Sequence, residues 1–268
     1  MLVKDLGEFG LINRIRKQLR CGKGVVKGIG DDCAVLSYNA RSYLLYTCDM
    51  LVEGVDFLPA EDRFLVGRKA LAVSISDIAA CGGRPAWCLV SLGLPENTPV
   101  KFIDALYCGM NKIAEKYSVS IVGGDISKAP KLTIDVSMIG LVGKKKLVLR
   151  NGAKPGDIIF ATGDFGGSIK GKHLRFDPRV DEAAYLVRKF KPSAMIDVSD
   201  GLAQDLGHIL EESNVGAVLF EDLIPVNKNA AGFEDVLVAS FDEIVTPYDY
   251  RSLLSLLGKL IPISPRAD

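Results

Sequence analysis

The spacing of apolar residues predicts both helices and strands in the first half of the chain. Residues 64–80 repeat apolar side chains with a helical period and stop before Gly82-Gly83, so we predict a helix there. A second amphipathic helix is predicted over residues 99–117, because Pro99 suits a first helical turn. Shorter apolar or alternating runs predict strands at residues 43–48 (directly before Asp49), 86–94, 120–122 and 132–142.

The second half of the chain contains the same mixture of elements. Strands are predicted at residues 158–162 and 195–198, and helices at residues 179–190 and 202–212. Between the two halves, a basic turn at 144–146 and a turn-rich stretch at 151–157 interrupt the pattern. We therefore expect a mixed α/β (α+β) fold with two domains, residues 1–143 and residues 144–268.

Composition narrows the classes of function. The chain has 33 Lys and Arg against 33 Asp and Glu, so no net charge favours nucleic acid or an anionic membrane as a partner. A hydrophobic fraction of 48% and a mean hydropathy of +0.21 predict substantial packed cores. Apolar runs fall short of the roughly 20 residues of a membrane span, and the N-terminal MLVKDLGEFG has acids where a signal peptide is apolar. We expect a soluble cytoplasmic protein that binds neither nucleic acid nor membranes.

Cysteine and histidine do not form a recognisable site. None of the 6 cysteines belongs to a Cys-x-x-Cys pair, so reduced, buried thiols are the simplest interpretation. The only histidines, His173 and His208, are too few for a histidine-rich metal site or a Ser-His-Asp triad. The chemistry is therefore expected to depend on carboxylates.

Several aspartates stand in glycine- or serine-containing islands beside apolar segments. They are Asp32, Asp49, Asp77, Asp125, Asp197 and Asp200. Carboxylates collected from distant points of a chain are the ligands that Mg²⁺ uses together with substrate phosphates. Asp77 is the most informative, because a buried carboxylate inside an apolar helix needs a strong partner. Simple turns around Asp32 and Asp125, and a helix N-cap at Asp200, are the structural alternatives.

A second glycine-rich stretch competes as a phosphate site. Residues 166–172 have the G-x-x-x-x-G-K spacing of a P-loop and follow a predicted strand. The next residue is His173, where a P-loop needs a Ser or Thr hydroxyl for Mg²⁺, and no βαβ repeat surrounds the stretch. We therefore interpret it as a glycine-rich loop.

The islands taken in order resemble the thiamine-monophosphate kinase family. The segments are GIGDDCAVL, TCDMLVEGVDF, KALAVSISDIAACGGRPAW, IVGGD, RNGAKPGD, FDPRV and IDVSDGLAQDLGHI, from about Gly7 to about Pro225. This family belongs to the superfamily of aminoimidazole ribonucleotide synthase and selenophosphate synthetase. The resemblance implies a two-domain aminoimidazole ribonucleotide synthase-like fold, in which an N-terminal sheet domain dimerises and a C-terminal α/β domain follows. A homodimer is expected.

The resemblance also implies roles for individual residues. Metal positions are Asp32, Thr47, Cys48, Asp49, Asp77, Asp125, Asp197 and Asp200. Nucleotide contacts fall on Tyr107, Gly124, Asp125, Arg150 and Ser199, and Asp56 stands at a substrate-contacting position. Mg²⁺ is the implied metal and ATP the co-substrate, and no side chain is expected to act as nucleophile or base.

Three departures from the family pattern concern the metal and acceptor positions. Cys48 stands where a threonine is usual, although its backbone carbonyl could still serve as a ligand. Asp56 stands where a histidine usually contacts the substrate. In residues 238–244, Ser240 falls near the place of a glutamate that touches thiamine, and the C-terminal domain looks shortened.

The resemblance implies transfer of the ATP γ-phosphoryl group to thiamine monophosphate, which gives thiamine diphosphate. Positive charge near the phosphates is expected from Arg150, whereas Lys154 is as well explained by a solvated surface position. Two alternatives stay open: a related ATP-dependent enzyme with another acceptor, and a non-catalytic nucleotide-binding paralogue. Phosphorylation of thiamine monophosphate is the expected activity.

Overall fold

The computed structural model describes residues 1–230, 244–249 and 261–262, and these form six α-helices and ten strands. The helices are α1 (Val3–Arg16), α2 (Arg63–Ala80), α3 (Val100–Tyr117), α4 (Lys172–Arg175), α5 (Val180–Lys189) and α6 (Leu202–Ser213). The strands are β1 (Val25–Lys27), β2 (Ala34–Ser37), β3 (Ser42–Val52), β4 (Arg84–Leu94), β5 (Ser120–Lys128), β6 (Thr133–Gly143), β7 (Asp157–Ala161), β8 (Ile196–Asp197), β9 (Ile244–Asp249) and β10 (Ile261–Pro262). No helix in the described residues has the length and apolarity to cross a membrane.

Strands β1 to β6 form one mixed sheet in the order β1-β2-β3-β6-β4-β5. All neighbouring pairs are antiparallel except β4 and β5, which run parallel. The parallel pair follows from α3, because a helix between two strands lets the chain cross the sheet and re-enter it in the same direction. Helix α2 packs on β3, β4 and β6 and against α3, so the sheet is a platform with helices on one side.

The two faces of this sheet have different surroundings. On the face covered by α2, which we call the helix face, β3 buries Leu45, Thr47 and Leu51. Successive strand residues point to opposite faces, so the residues between them belong to the other side, the open face. Four apolar side chains of the open face keep 43–59% of their surface exposed; they are Tyr46, Met50, Trp87 and Leu89.

Helix α2 is fixed in place at its start and along its length. The Asp62 side chain accepts a hydrogen bond from the Phe64 N–H at 2.8 Å and so caps the helix. Farther along, glycines let the backbones of α2 and α3 touch. A Cβ atom at Gly67 would lie 1.9 Å from the Leu106 carbonyl oxygen, and one at Gly109 would lie 1.8 Å from the Phe64 carbonyl oxygen. Neither position accepts a side chain without separating the helices.

Strands β7 to β10 form a second, antiparallel sheet in the order β10-β7-β9-β8. Its core includes Ile159, Phe165, Ile196, Leu202 and Leu206, the last two from α6. Helix α5 instead packs against α2, and Val180, Ala183 and Val187 join the core of the first sheet. The second half of the chain therefore contributes to both cores, and the domain boundary between residues 143 and 144 stays a prediction.

The mixed α/β fold and most predicted elements are confirmed. The predicted helices correspond to α2, α3, α5 and α6. Two predicted strands were too short: β3 continues through Asp49 to Val52, and β5 continues through Gly123-Gly124 to Lys128. Glycine weakens the sequence signal of a strand, but its backbone still pairs with the neighbouring strand. Helix α1 was not predicted; it buries no residue and kinks at Gly7.

Candidate functional site

A cavity of about 460 Å³ opens where β3, α2 and the loop between β8 and α6 meet. Predicted site residues in its lining are Cys48, Asp49, Asp56, Asp77, Asp197, Ser199 and Asp200. These residues come from distant parts of the sequence, so the cavity exists only in the folded chain. It brings together most of the positions that the aspartate islands predicted.

Three carboxylates form the centre of the site. Oxygen atoms of Asp32, Asp77 and Asp197 all lie within 4.8 Å of one another. Asp32 lies in the loop before β2, Asp77 lies in the last turns of α2, and Asp197 ends β8. Such spacing lets one cation contact all three side chains, as carboxylate ligands of divalent cations do.

The helix face of β3 adds two more predicted residues to this centre. Thr47 Oγ1 donates a hydrogen bond to the Asp77 carboxylate. Ser74 Oγ, one turn earlier on α2, donates to Asp49 Oδ2 at 2.6 Å. Because Thr47 and Asp49 are two residues apart on a strand, both point towards α2. The pleat of β3 thus orients one hydroxyl and one carboxylate towards the cluster.

The electrostatics of the cluster are unfavourable without a cation. Burial, followed by the charges of Asp49, Asp197 and Asp32, raises the pKa of Asp77 well above its ordinary value. Burial followed by the charge of Asp32 does the same to the pKa of Asp197. Burial also raises the pKa of Asp49. Groups that resist ionisation for these reasons become ionised when a divalent cation supplies opposite charge.

The oxygen atoms of Asp32 fit a hard cation such as Mg²⁺. Asp32 Oδ1 pairs with the Arg150 guanidinium. Asp32 Oδ2 is buried and has no hydrogen-bond partner among the described residues. A buried carboxylate oxygen without a donor is costly, and a cation of the kind that prefers oxygen ligands removes that cost. The donor set at the centre consists of carboxylates, which suits Mg²⁺ better than a thiophilic metal.

Arg150 reaches the site from the other side, with the help of a residue that sequence reasoning missed. The Asp31 side chain is fully buried and accepts a hydrogen bond from the Arg150 backbone N–H at 3.1 Å. Burial, followed by the charge of Asp32, raises the pKa of Asp31 to about 7. Asp31 stands next to Asp32 in the sequence, but nothing in the sequence distinguishes the residue that faces the cluster from the one that holds Arg150.

A second missed residue shapes the loop that contains Ser199 and Asp200. Asp205 Oδ2 accepts hydrogen bonds from the backbone N–H groups of Ser199, Asp200 and Gly201, each at 3.0 Å. The N-cap of α6 is Gly201, so the N-cap role considered for Asp200 is wrong. The Asp200 side chain is exposed and accepts from Gln204. An acid in the first turn of a helix was the available sequence signal for Asp205.

Other predicted site residues lie apart from the cavity. Asp125 pairs with Ser91 across β4 and β5, which places it on the exposed edge strand and on the open face. Gly124, its neighbour, packs so closely that a Cβ atom would lie 1.7 Å from the Val90 carbonyl oxygen. Tyr107 packs on the core of the first sheet, from α3. None of these three residues lines the cavity.

Cys48 lines the cavity, but its side chain points to the open face of the sheet. Its Sγ lies 3.2 Å from Asp135 Oδ2 and 3.6 Å from Ser137 Oγ, on the open face. The thiol therefore points away from the carboxylate cluster, and only the backbone of Cys48 lies on the cavity side. All 6 cysteines are free thiols, as predicted, although Cys21, Cys48 and Cys108 are exposed.

Of the two predicted acceptor positions, Asp56 and Ser240, only Asp56 lies within the described residues. Asp56 lines the cavity, and its Oδ2 accepts a hydrogen bond from the Val52 N–H at 2.7 Å. Ser240 and the rest of residues 238–243 lie outside the described residues. In the glycine-rich loop, Lys172 Nζ donates to the Asp164 carbonyl oxygen at 2.5 Å, and the helix that follows has only 4 residues. Lys154 is exposed and does not line the cavity.

Known proteins with similar sequences and structures are consistent with this site. Residues 30–142 match the family described as AIR synthase related protein, N-terminal domain. The chain is 36% identical over 247 residues to thiamine-monophosphate kinase of Aquifex aeolicus (strain VF5), covering 85% of this chain and 78% of that one. It is 38% identical over 248 residues to thiamine-monophosphate kinase of Bacillus subtilis (strain 168), covering 84% and 76%. A solved structure described as AaThiL complexed with AMPPCP and TMP matches with a TM-score of 0.89 at 31% identity, covering 100% of this chain and 93% of that one.

Proposed function

Because this chain belongs to the thiamine-monophosphate kinase family, we propose that it transfers the γ-phosphoryl group of ATP to thiamine monophosphate, which yields thiamine diphosphate and ADP. The observation that supports this most directly is the cluster of Asp32, Asp77 and Asp197, of which Asp77 and Asp197 line a cavity of about 460 Å³. A relative with the same fold is described as a complex with AMPPCP and TMP.

The acceptor in this reaction is already a nucleophile. A phosphate oxygen of thiamine monophosphate is an anion at neutral pH, so no side chain needs to remove a proton from it. The barrier comes instead from bringing two polyanions into line. Aspartates are the most frequent residues in the described lining of the cavity, which suits such a reaction.

Magnesium is the proposed metal, bound by Asp32, Asp77 and Asp197 with Asp49 and Asp200 beside them. When bound, Mg²⁺ would neutralise phosphate charge and hold the reacting groups in position. The side chains of this chain have separate tasks. Arg150 pairs with Asp32 and keeps one of its oxygens fixed, and Thr47 donates to Asp77 and fixes that carboxylate. Asp205 holds the backbone of residues 199–201 in the conformation that presents Ser199 and Asp200 to the cavity.

We also propose that the chain acts as a homodimer through the open face of the first sheet. Support comes from the exposed apolar side chains of that face, which include Trp87 and Leu89. Asp125 lies on the same face and outside the cavity of its own protomer, so a role in the nucleotide site requires a second protomer to bring phosphates near this residue. The predicted nucleotide role of Asp125 and Gly124 therefore depends on the dimer. Replacing Trp87 with glutamate should give monomers in sedimentation.

The direct test is ADP release with Mg-ATP and a panel of phosphorylated acceptors. Turnover should require thiamine monophosphate and Mg²⁺ together, and an Asp77→Asn variant should be inactive. Turnover with another phosphorylated vitamin or nucleotide, but not with thiamine monophosphate, would overturn the proposed acceptor. Stabilisation by Mg-ATP without turnover of any acceptor would support the non-catalytic alternative instead.

A further inference from the structure

The cavity also contains a buried cation that none of the predicted roles uses. Lys69, in the second turn of α2, is 2% exposed and lines the cavity beside Asp56. Among the described residues of the lining, it is the only one with a cationic side chain. Its burial is not recognisable from the sequence, where Lys69 is a single lysine within the apolar stretch of a helix. A buried lysine is unusual enough to require an explanation.

The Lys69 ammonium group contacts two neighbouring segments, the loop between β3 and α2 and helix α4. Its Nζ donates to the Asp56 carbonyl oxygen at 2.7 Å, which ties it to the loop after β3. The same Nζ lies 3.2 Å from Nδ1 of His173 in α4. On the other side of the imidazole ring, His173 Nε2 lies 3.5 Å from Glu61 Oε1. An imidazole that accepts from an ammonium through Nδ1 carries its proton on Nε2, where it faces the Glu61 carboxylate.

These contacts give Lys69 a defined position and keep its charge. Burial lowers the pKa of Lys69, whereas the charges of Asp56 and Glu61 act in the opposite direction. Burial, followed by the positive charge of Lys69, lowers the pKa of His173, in agreement with a neutral imidazole. The carboxylate of Asp56 accepts a hydrogen bond from the Val52 N–H. Lys69 therefore places an ammonium group beside Asp56 in a cavity whose other charged lining groups, among the described residues, are carboxylates.

We propose that Lys69 is a substrate-binding residue for the phosphate monoester of the acceptor, and that His173 and Glu61 are positioning residues that hold it. An anionic phosphate next to Asp56 needs a positive partner, and Lys69 lies beside that residue. The assignment to the acceptor follows from the layout of the site. Asp77 of the carboxylate cluster lies eight residues farther along α2, and Arg150, which pairs with Asp32 of that cluster, does not line the cavity. We therefore assign the proposed metal and the nucleotide phosphates to the cluster, and the acceptor phosphate to Lys69. The inference rests on the proposed kinase function and names the group that selects its acceptor.

The test compares substitutions at Lys69 with a matched control on the surface. Lys69→Met keeps an unbranched side chain of nearly the same length and removes its charge, and Lys154→Met does the same at an exposed position. We expect Lys69→Met to raise the KM for thiamine monophosphate about 10- to 100-fold, the effect of losing one charge-assisted hydrogen bond. The KM for ATP should change less than about twofold, because the nucleotide end is intact. Lys69→Arg should recover part of the loss, and Lys154→Met should behave as wild type.

Two variants at His173 test the positioning role. His173→Asn keeps an acceptor near Lys69, whereas His173→Leu removes it. The leucine variant should raise the KM for thiamine monophosphate several-fold with a smaller effect on kcat, and the asparagine variant should be closer to wild type. If Lys69→Met lowers the melting temperature too far for kinetics, the His173 pair gives the same information without loss of the buried lysine.

The outcomes separate this inference from the proposed function. If the wild-type protein does not turn over thiamine monophosphate, the proposed function is wrong and the inference fails with it. If the wild type is active and Lys69→Met keeps a normal KM for thiamine monophosphate, only the inference fails, and Lys69 is a structural tie between α2 and the loop after β3. Equal increases in the KM for both substrates would also overturn it, because the residue would then not select the acceptor.

Discussion

Consecutive side chains of β3 point to different faces of the first sheet and meet different partners there. Thr47 and Asp49 lie on the helix face, where they contact or adjoin Asp77 and Ser74 of α2. Cys48, between them, directs its thiol to Asp135 on the open face. The resemblance assigned all three residues to the metal site, but the pleat of a strand allows only alternate side chains to reach it.

The comparison shows why the two faces carry different kinds of residue. The helix face is covered by α2, and burial, followed for Asp77 by the charges of neighbouring carboxylates, raises the pKa of Asp49 and Asp77. In the part of the chain that the structure describes, the open face displays exposed apolar side chains, together with Asp125 at its edge. One face therefore suits catalysis within a protomer, and the other suits contact with a second copy.

The largest effect is expected on the helix face. Asp77→Asn should reduce turnover about 1,000-fold, because losing one ligand charge removes several kcal/mol of stabilisation. The same change removes a buried carboxylate that resists ionisation, so the metal-free protein should melt at the same or a higher temperature. Activity assays and melting curves with and without Mg²⁺ measure both effects. Near-normal turnover at saturating Mg²⁺ would contradict the cluster, and Asp49→Asn should behave in the same way.

The next largest effect is expected at Asp125, and it tests whether this residue of the open face acts in the active site of a second protomer. Asp125→Asn is expected to reduce turnover about 100-fold, although the residue does not line the cavity of its own protomer. Mixing the inactive Asp77→Asn and Asp125→Asn proteins should then restore about a quarter of wild-type turnover, because half of the dimers regain one intact site.

Failure to recover activity in this mixture, with dimers verified by sedimentation, would show that Asp125 does not act across the interface. Unchanged activity of Asp125→Asn alone would remove the residue from the site. The Lys154→Met protein is a suitable control for the mixing procedure, because Lys154 is exposed and remote from the cavity lining.

The raised pKa of Asp205 should make the stability of the protein depend on pH. Burial comes first among the causes that raise the pKa of Asp205 to about 7, whereas the value in an unfolded chain is near 4. The folded state therefore holds this proton more tightly, and the free energy of unfolding falls as pH rises from about 4 to about 7. The share of Asp205 is on the order of 2–4 kcal/mol. Denaturant unfolding of the metal-free protein should show this slope, and Asp205→Asn should reduce it.

A stability profile that is equally steep in the Asp205→Asn variant would assign the effect to other carboxylates. Asp31, whose pKa is also raised to about 7 by burial and by Asp32, is the next residue to test. Above pH 7 both groups are ionised in the folded and unfolded states, so the curve should level off.

The smallest effect is expected at Cys48. Cys48→Thr restores the residue that is usual in the family, but the side chain points to the open face and not to the cluster. Turnover should stay within about twofold of wild type, since only the backbone of this residue faces the cavity. Steady-state kinetics measure this directly. A gain or loss of tenfold or more would mean that the side chain at position 48 reaches the metal after all.

The sequence predicts the elements well where strong boundary signals exist. Gly82-Gly83 and Pro99 mark the limits of α2 and α3, and both helices are found as predicted. It fails at Gly123-Gly124, because glycine hides a strand that is held by its pairing with β4. Helix α1 escapes prediction for a similar reason, since it buries no side chain and so has no apolar face to detect.

For the site, the sequence identifies residues by type but not by direction. It singles out Asp77 and Asp197 because each adjoins an apolar segment, and the structure places both in the lining of one cavity. It cannot separate Cys48 from Asp49, which requires knowing which face of β3 is covered. It also misses Asp31, Asp205 and Lys69, whose roles depend on burial and on partners far along the chain.

The close contact between α2 and α3 at Gly67 and Gly109 has a consequence for selectivity by size. Lys69 and Asp77 are eight residues apart on the same helix, which corresponds to about 12 Å along its axis. Because the touching backbones hold α2 against α3, the distance along the helix between Lys69 and Asp77 is fixed. An acceptor with one more phosphate group would have to fit the same distance, so a fixed α2 favours a monophosphate over a diphosphate.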